Sequence, residues 1–272
     1  MKQFLFAAAL LATVTSVASA DDADINPARF GWFSGDWSLT VGASGFAAPD
    51  YDGSDELEFR AVPIISLGRA GPAARFVSRN DNISFALIDH GRFRAGPTGK
   101  LIFGRDGGDS PDLVGLDEVR FGGELGAFAE VYPFDWMRVR GEVRHGIRSH
   151  DGIVADLAVD AFLDVTETVR ISGGPRLSYA SDGYFDAFYG ISPAEGVASG
   201  LAPYDPGSGI RSAGLGGAIT WKTTDQLTTS LFGEYERLAG PAADSPLVRD
   251  RGSRDQFTFG LSAAYRFDFT IP

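Results

Sequence analysis

Residues 136–147 read WMRVRGEVRHGI, and this stretch decides the fold class. Apolar residues and glycine hold most of its odd positions, and charged residues hold the even positions from Arg138 to Arg144. Because successive side chains of a β-strand point to opposite faces, one face is apolar and the other is charged. Long, glycine-rich segments of this kind behind an export signal predict a membrane β-barrel, with the apolar face toward lipid and the charged face toward the lumen.

The same alternation recurs along most of the chain and predicts an all-β, antiparallel transmembrane barrel of about 12 strands. The predicted strands cover residues 36–46, 56–67, 74–79, 82–88, 92–103, 119–131, 136–147, 152–163, 167–180, 208–222, 226–238 and 254–269. Connections after alternate strands are short and most of the others are long, which is the arrangement of short periplasmic turns and long extracellular loops. Helical turns are expected in the long loops at 192–199 and within 241–249.

The charged positions of each alternating segment identify the side chains that we expect to face the lumen. They are Arg92, Arg94, Arg120, Glu124, Arg138, Arg140, Glu142, Arg144, Asp156, Asp160, Arg170, Arg176, Glu234, Glu236 and Arg266. A lumen in which arginine predominates would favour anionic solutes. Alternatively, arginine and glutamate on facing strands pair and fill the barrel, whose strand number lies near the border between filled and channel-forming interiors. The mixed signs of charge favour the filled lumen.

The N-terminus has the features of a cleaved signal peptide: a charge at Lys2, an apolar core, and a small-residue cleavage site that ends at Ala20. We therefore expect a signal peptide at 1–20, a periplasmic lead-in at 21–35 and an outer-membrane barrel domain at 36–272. The formal net charge of −12 argues against nucleic acid as a partner. Cysteine is absent, so no disulfide framework holds the exported fold.

Two short stretches carry residue types that bind metals or catalyse reactions. One is the extracellular loop of Tyr51, Asp52, Gly53, Ser54 and Asp55. It is rich in oxygen ligands but lacks the ordered ligand series of an EF-hand, so bridging to lipopolysaccharide by divalent ions, or an ordinary hydrated loop, is favoured. The other is 149–151, which reads SHD. Consecutive residues do not form a triad, whose groups must meet across space, so we expect a solvated loop. We predict no catalytic, cofactor or metal site and no enzymatic activity.

Several stretches are similar to the MipA/OmpV family. They include 48–55 (APDYDGSD), 59–65 (FRAVPII), 174–180 (GPRLSYA) and 244–248 (DSPLV), and the resemblance runs from about residue 36 to 267. It implies a barrel in the bacterial outer membrane, in contact with outer-membrane lipid and lipopolysaccharide. Alternating aromatics at 265–269 resemble the signal that the outer-membrane assembly machinery recognises.

The family's name-giving member is a scaffold that joins a murein lytic transglycosylase to a penicillin-binding synthase of peptidoglycan, and other members are described as porin-like or adhesive. The resemblance therefore implies a scaffold first, with a narrow porin-like channel or a surface-binding barrel as alternatives. It supplies no catalytic residues. Scaffold contacts are expected at 21–36 and at the turns around Pro72, Pro133 and Asp164.

Overall fold

The computed structural model describes residues 35–69 and 76–271. The predicted signal peptide, almost all of the predicted lead-in and the predicted turn at Pro72 lie outside these residues. The described chain forms one antiparallel sheet of 12 strands that curls around a lumen, which confirms the predicted fold class. No helix in the described ranges is long and apolar enough to cross a membrane.

The strands follow the alternating segments of the sequence closely. They are β1 (Gly35–Pro49), β2 (Leu57–Arg69), β3 (Ile83–Ser84), β4 (Ile88–His90), β5 (Phe93–Ile102), β6 (Gly122–Phe134), β7 (Met137–Ile147), β8 (Ile153–Asp164), β9 (Val169–Ala180), β10 (Gly209–Lys222), β11 (Leu227–Leu238) and β12 (Asp255–Ile271). Their faces divide as expected for a membrane barrel: Val143 and Leu261 are 56% and 62% exposed, whereas Arg138 and Arg140 are buried.

The sheet order runs β2-β1-β12 and then through β11 to β5, with β3 and β4 paired to β5. Strands β3 and β4 cover only the periplasmic part of β5, because the uppermost pair joins Ile83 to Gly99. In the described part of the chain, no backbone pairing joins β2 to β3, β4 or β5. The sheet therefore has a seam between β2 and β5, and toward the extracellular side no strand of the described chain pairs with the β5 edge there.

The predicted strands at 74–79 and 82–88 are wrong in large part, leaving aside residues 74–75, which lie outside the described residues. Residues 76–82 form no strand, and only the short β3 and β4 follow them. The reason is that residues 78–82 read SRNDN, which has no apolar phase to present to hydrocarbon. These residues instead turn into the lumen, where polar partners are available. We call residues 76–82 the lumen segment.

The long extracellular loops carry a 3-10 turn at Pro111–Leu113 and the helices α1 (Asp182–Tyr189), α2 (Pro193–Ser199), α3 (Gly240–Asp244) and α4 (Pro246–Arg251). Helix α2 begins with a capping box, in which Ser192 and Glu195 satisfy each other's backbone N–H groups. The predicted turns at 192–199 and 241–249 are confirmed, and α1 was not predicted. Buried side chains such as Phe185, Tyr189 and Leu247 pack these loops into a compact extracellular cap.

Candidate functional site

The lumen beside β7 is filled by a network of buried ion pairs. Arg138, Arg140 and Arg144 occupy alternate positions of β7, so all three point inward. Their partners come from β6, β7, β8 and the lumen segment. The closest pairs are Arg138–Asp160 at 2.6 Å, Arg138–Asp81 at 2.6 Å, Arg140–Glu130 at 3.0 Å, Arg140–Glu142 at 2.7 Å, Arg144–Glu124 at 2.7 Å, Arg144–Glu142 at 2.7 Å and Arg144–Asp156 at 2.6 Å.

The network extends to the neighbouring strands β5 and β9. Arg94 of β5 pairs with Glu130 at 2.7 Å, and Arg176 of β9 pairs with Asp160 at 2.5 Å. The side chains of Arg138, Arg144, Glu124, Glu130 and Asp160 are each only 1% exposed. Charges this deeply buried persist only because each is paired and hydrogen-bonded.

The lumen segment crosses the interior and ties the network to the opposite wall. Asp81 accepts two hydrogen bonds from Arg138 of β7, and Asn80 donates to Glu234 of β11 at 2.5 Å. The guanidinium of Arg79 lies 3.7 Å from the centre of the Phe232 ring, also on β11. Nearer the periplasm, Phe76 stacks on Phe162 with ring centres 4.5 Å apart. The segment therefore obstructs the lumen between β7 and β11.

Hollow space remains between the lumen segment and the cap. Two cavities of about 380 and 450 Å³ share the lining residues Lys100, Arg211, Glu234 and Glu236. The larger also reaches Arg60 of β2 together with Leu101 and Phe103 on the β5 side, so it approaches the seam. None of the residues that line either cavity lies on the periplasmic side of the lumen segment.

The predicted extracellular loop is packed into the cap, so its interpretation as an ordinary hydrated loop is wrong. Tyr51, Gly53 and Ser54 are buried, and Asp55 is exposed. Gly53 has a φ of 108° and donates its N–H to Gln256 of β12 at 3.0 Å. Within the described residues, no cluster of three or more side chains is suited to hold a metal ion.

Asp52 anchors this loop to the barrel wall by pairing with Arg211 at 2.9 Å. Burial alone would raise the pKa of Asp52, but the Arg211 guanidinium, the Tyr189 hydroxyl and the positive charges of Lys100 and Arg105 together hold this pKa below its usual range. Burial, reinforced by the Asp112 carboxylate, raises the pKa of Tyr51 well above that of a free tyrosine. The cap is therefore held at neutral pH by an ionised Asp52 and a neutral Tyr51.

The stretch at 149–151 is also not a solvated loop, as Ser149 and His150 are both 7% exposed. His150 Nε2 lies 3.2 Å from a carboxylate oxygen of Glu124, and the ring packs against Tyr184 and Phe188. Ser149 Oγ has no hydrogen-bond partner among the described residues, so no Ser–His contact of the kind needed for nucleophilic catalysis is present there.

The structure distributes the predicted lumen residues over several environments. Those in the buried network are Arg94, Glu124, Arg138, Arg140, Glu142, Arg144, Asp156, Asp160 and Arg176. Glu234 and Glu236 line the cavities below the cap. Arg170 and Arg266 form partly exposed pairs with Asp164 and Asp268 near the periplasmic ends of their strands.

For Arg92 and Arg120 the lumen-facing prediction is wrong. Both precede their strands, because β5 begins at Phe93 and β6 at Gly122. Arg92 pairs with Asp135 at a periplasmic turn, and Arg120 pairs with Glu118 in an extracellular loop; all four side chains are exposed. The predicted strands began before the observed ones, and the ends of strands are the least sharply defined part of such a pattern.

Four important lumen residues are absent from the set predicted above, namely Arg79, Asp81, Glu130 and Arg211. Glu130 lies on the charged phase of β6 and was available from the pattern. Arg211 does not follow the inward–outward alternation of β10, because a register shift between Ile210 and Ser212 interrupts that alternation. Arg79 and Asp81 belong to the lumen segment, whose inward path has no periodic signal.

The curled antiparallel sheet, its apolar outer face and its charged interior define the protein as a bacterial outer-membrane β-barrel. The chain belongs to the MipA family, since the model of that family, described as MltA-interacting protein MipA, matches residues 41–267. The predicted family and location are thus confirmed. No curated protein matches the chain significantly.

Solved structures of outer-membrane proteins resemble the chain at low identity. Neisserial surface protein A has 9% identity and a TM-score of 0.28, covering 85% of this chain and 97% of its own. OprG from Pseudomonas aeruginosa has 12% identity and a TM-score of 0.29, covering 86% and 97%. A KdgM porin has 9% identity and a TM-score of 0.36, covering 86% and 99%. Values this low carry no argument about function.

Proposed function

We propose that this protein is a non-conducting, non-enzymatic scaffold that docks peptidoglycan enzymes at the periplasmic face of the outer membrane. The partners in this proposal are a murein lytic transglycosylase and a penicillin-binding synthase. The observation that supports it best is the obstructed lumen, in which the lumen segment bridges β7 and β11 through Asp81 and Asn80. A barrel closed in this way acts through its surfaces. The family description, which names an MltA-interacting protein, favours an enzyme of the murein as the partner.

The periplasmic turn between β6 and β7 offers a contact surface of suitable character. Phe134 and Trp136 stack with ring centres 5.2 Å apart, and they are 53% and 52% exposed. The carboxylate of Asp135 lies between them in sequence and is 94% exposed. Exposed aromatic side chains beside a polar rim are typical of the residues that dominate binding energy at protein interfaces.

A binding assay with the purified barrel in lipid nanodiscs tests the scaffold. We expect purified lytic transglycosylase to bind, and Trp136→Ala to weaken binding by about tenfold or more, as loss of an aromatic interface anchor does. The matched control is Val197→Ala, which alters an apolar side chain that is 90% exposed on the extracellular cap. Absence of binding by the wild-type barrel, or equal weakening by both variants, would contradict the proposal.

Planar-bilayer recording separates the scaffold from the porin-like alternative, which the cavities of about 380 and 450 Å³ favour. We expect the wild type to be silent. A variant with Asn80→Ala, Asp81→Ala and Asn82→Ala loses the bonds that hold the lumen segment to Glu234, Arg138 and Glu142. It should therefore show stepwise currents. Stepwise conductance by the wild type would support the channel instead.

A further inference from the structure

The outer face of the barrel has an apolar groove beside the part of β5 that lacks a neighbouring strand in the described structure. Because β3 reaches only as far as the Ile83–Gly99 pair, the edge of β5 beyond Gly99 has no strand beside it in the described structure. A groove of about 770 Å³ lies at this position. Its lining includes the small residues Gly99 and Gly123, with Leu101, Phe121, Leu125 and Ile147.

The register places this groove in the outer leaflet. Leu101 pairs with Gly123, and Gly123 pairs with Ile147, the last residue of β7 before an extracellular turn. The lining on β5 runs from Pro97 to Leu101. This span is about 13 Å at roughly 3.3 Å per residue, so the groove extends from the extracellular rim toward the middle of the bilayer. All its outward side chains lie on the hydrocarbon-facing phase.

One cation at the rim of the groove has no partner. In the part of the chain that the structure describes, the Arg148 guanidinium makes no ion pair or hydrogen bond. This contrasts with the arginines of β7, which are all paired. Arg148 follows Ile147 directly, so it lies at the extracellular end of the groove. Two carboxylates, those of Asp117 and Glu118, line a neighbouring hollow with Arg148, and Glu118 is engaged by Arg120 at 3.4 Å.

We infer that the groove binds one acyl chain of a phosphate-bearing lipid of the outer leaflet, with Arg148 holding the phosphate at the extracellular rim. The apolar lining matches the acyl chain, and the unpaired guanidinium matches the phosphate. This lipid site is independent of the proposed scaffold role.

Native mass spectrometry of the detergent-solubilised barrel tests the site. The probe is dilauroyl phosphatidic acid, and dilauroylglycerol is the matched lipid without phosphate. We expect one phosphatidic acid to bind per barrel, about tenfold more tightly than dilauroylglycerol, because a charge-assisted phosphate contact is lost in the latter. Arg148→Asn should abolish this preference. Asparagine suits the position because Arg148 has a φ of 71°, which asparagine tolerates.

A second variant tests the acyl-chain part of the groove. Leu125→Trp fills the groove and should weaken binding of both lipids, whereas Leu261→Trp should not. These leucines are matched, being 63% and 62% exposed on outward faces of β6 and β12. Equal effects of the two substitutions, or equal binding of the two lipids, would show only annular lipid and overturn the inference. Competition by inorganic phosphate alone would also overturn it, since that result indicates an ion site.

Discussion

The wall formed by β6, β7 and β8 and the sector between β2 and β5 carry similar residues but are built differently. In the wall, β7 pairs with both neighbours along most of its length, and the Arg138–Asp160 pair is 1% exposed on each side. In the other sector, β2 has a strand on one side, and its Arg60–Glu58 pair is 43% and 57% exposed. An arginine–carboxylate pair is thus a buried structural element in the wall and an exposed, peripheral one at the seam. Charge content alone does not show where a barrel is rigid.

The largest expected effect comes from breaking the wall. Arg138→Met removes the cation that Asp81 and Asp160 share, leaving Asp160 with Arg176 and Asp81 with Arg140 at 3.7 Å, and should lower the free energy of unfolding by about 3–5 kcal/mol. Chemical denaturation in detergent micelles, followed by tryptophan fluorescence, measures the change. Adding Asp160→Asn to Arg138→Met should recover part of the loss, because the buried network then holds one carboxylate fewer for its remaining cations. A loss below about 1 kcal/mol would mean that the buried pairs of the wall stabilise the barrel no more than the exposed pair at the seam.

An intermediate effect is expected for Asp52, whose pair with Arg211 is 29% and 16% exposed. Asp52→Asn should destabilise the cap by about 1 kcal/mol at neutral pH, since the pair is partly screened by solvent. The pKa of Asp52 is lower in the folded protein than in the unfolded chain, so its contribution is complete above the ordinary aspartate pKa. It is lost as pH falls through the lowered value.

Hydrogen exchange of the cap at neutral and acidic pH measures this contribution. The wild type should open more readily on acidification, and Asp52→Asn should open readily at both pH values with a smaller change between them. Asp55→Asn is the matched control, because Asp55 is exposed in the same loop. An identical pH response of Asp52→Asn and the wild type would show that ionised Asp52 does not stabilise the cap.

The smallest effect is expected at the seam. Arg60→Ala removes an exposed pair with Glu58 and a hydrogen bond to the carbonyl oxygen of Asp50, both of which water can replace. The free energy of unfolding should change by about 0–1 kcal/mol in the same denaturation assay. A loss as large as that of Arg138→Met would mean that the seam stabilises the barrel as strongly as the wall.

Much of the fold was predictable from residues whose pattern is compatible with only one local structure. Val139 and Arg140 can alternate in one membrane strand only if lipid and lumen lie on opposite faces, so β7 was predictable from sequence. Helix α2 was predictable because Ser192 and Glu195 stand at the spacing of a capping box.

The rest depended on contacts that sequence does not encode locally. Asp81 turns inward because Arg138 is there to receive it, and those residues are distant in sequence. Tyr51 is buried because the cap folds over it, which no strand pattern indicates. The contacts of the candidate site were therefore less predictable than the fold. It includes the lumen segment and a β10 register shift, whose directions are set by tertiary partners.

The pairing of β1 with β12 has a consequence for how the barrel is made. Gly35 faces Ile271 and Ala47 faces Phe259, so the first strand to leave the ribosome bonds to the last. That joint has the greatest sequence separation in the sheet, and contacts of this kind form late and slowly. Until β12 arrives, one edge of β1 and one edge of β11 are unpaired, and both need protection from aggregation. A chain cut short before Asp255 would keep those edges permanently.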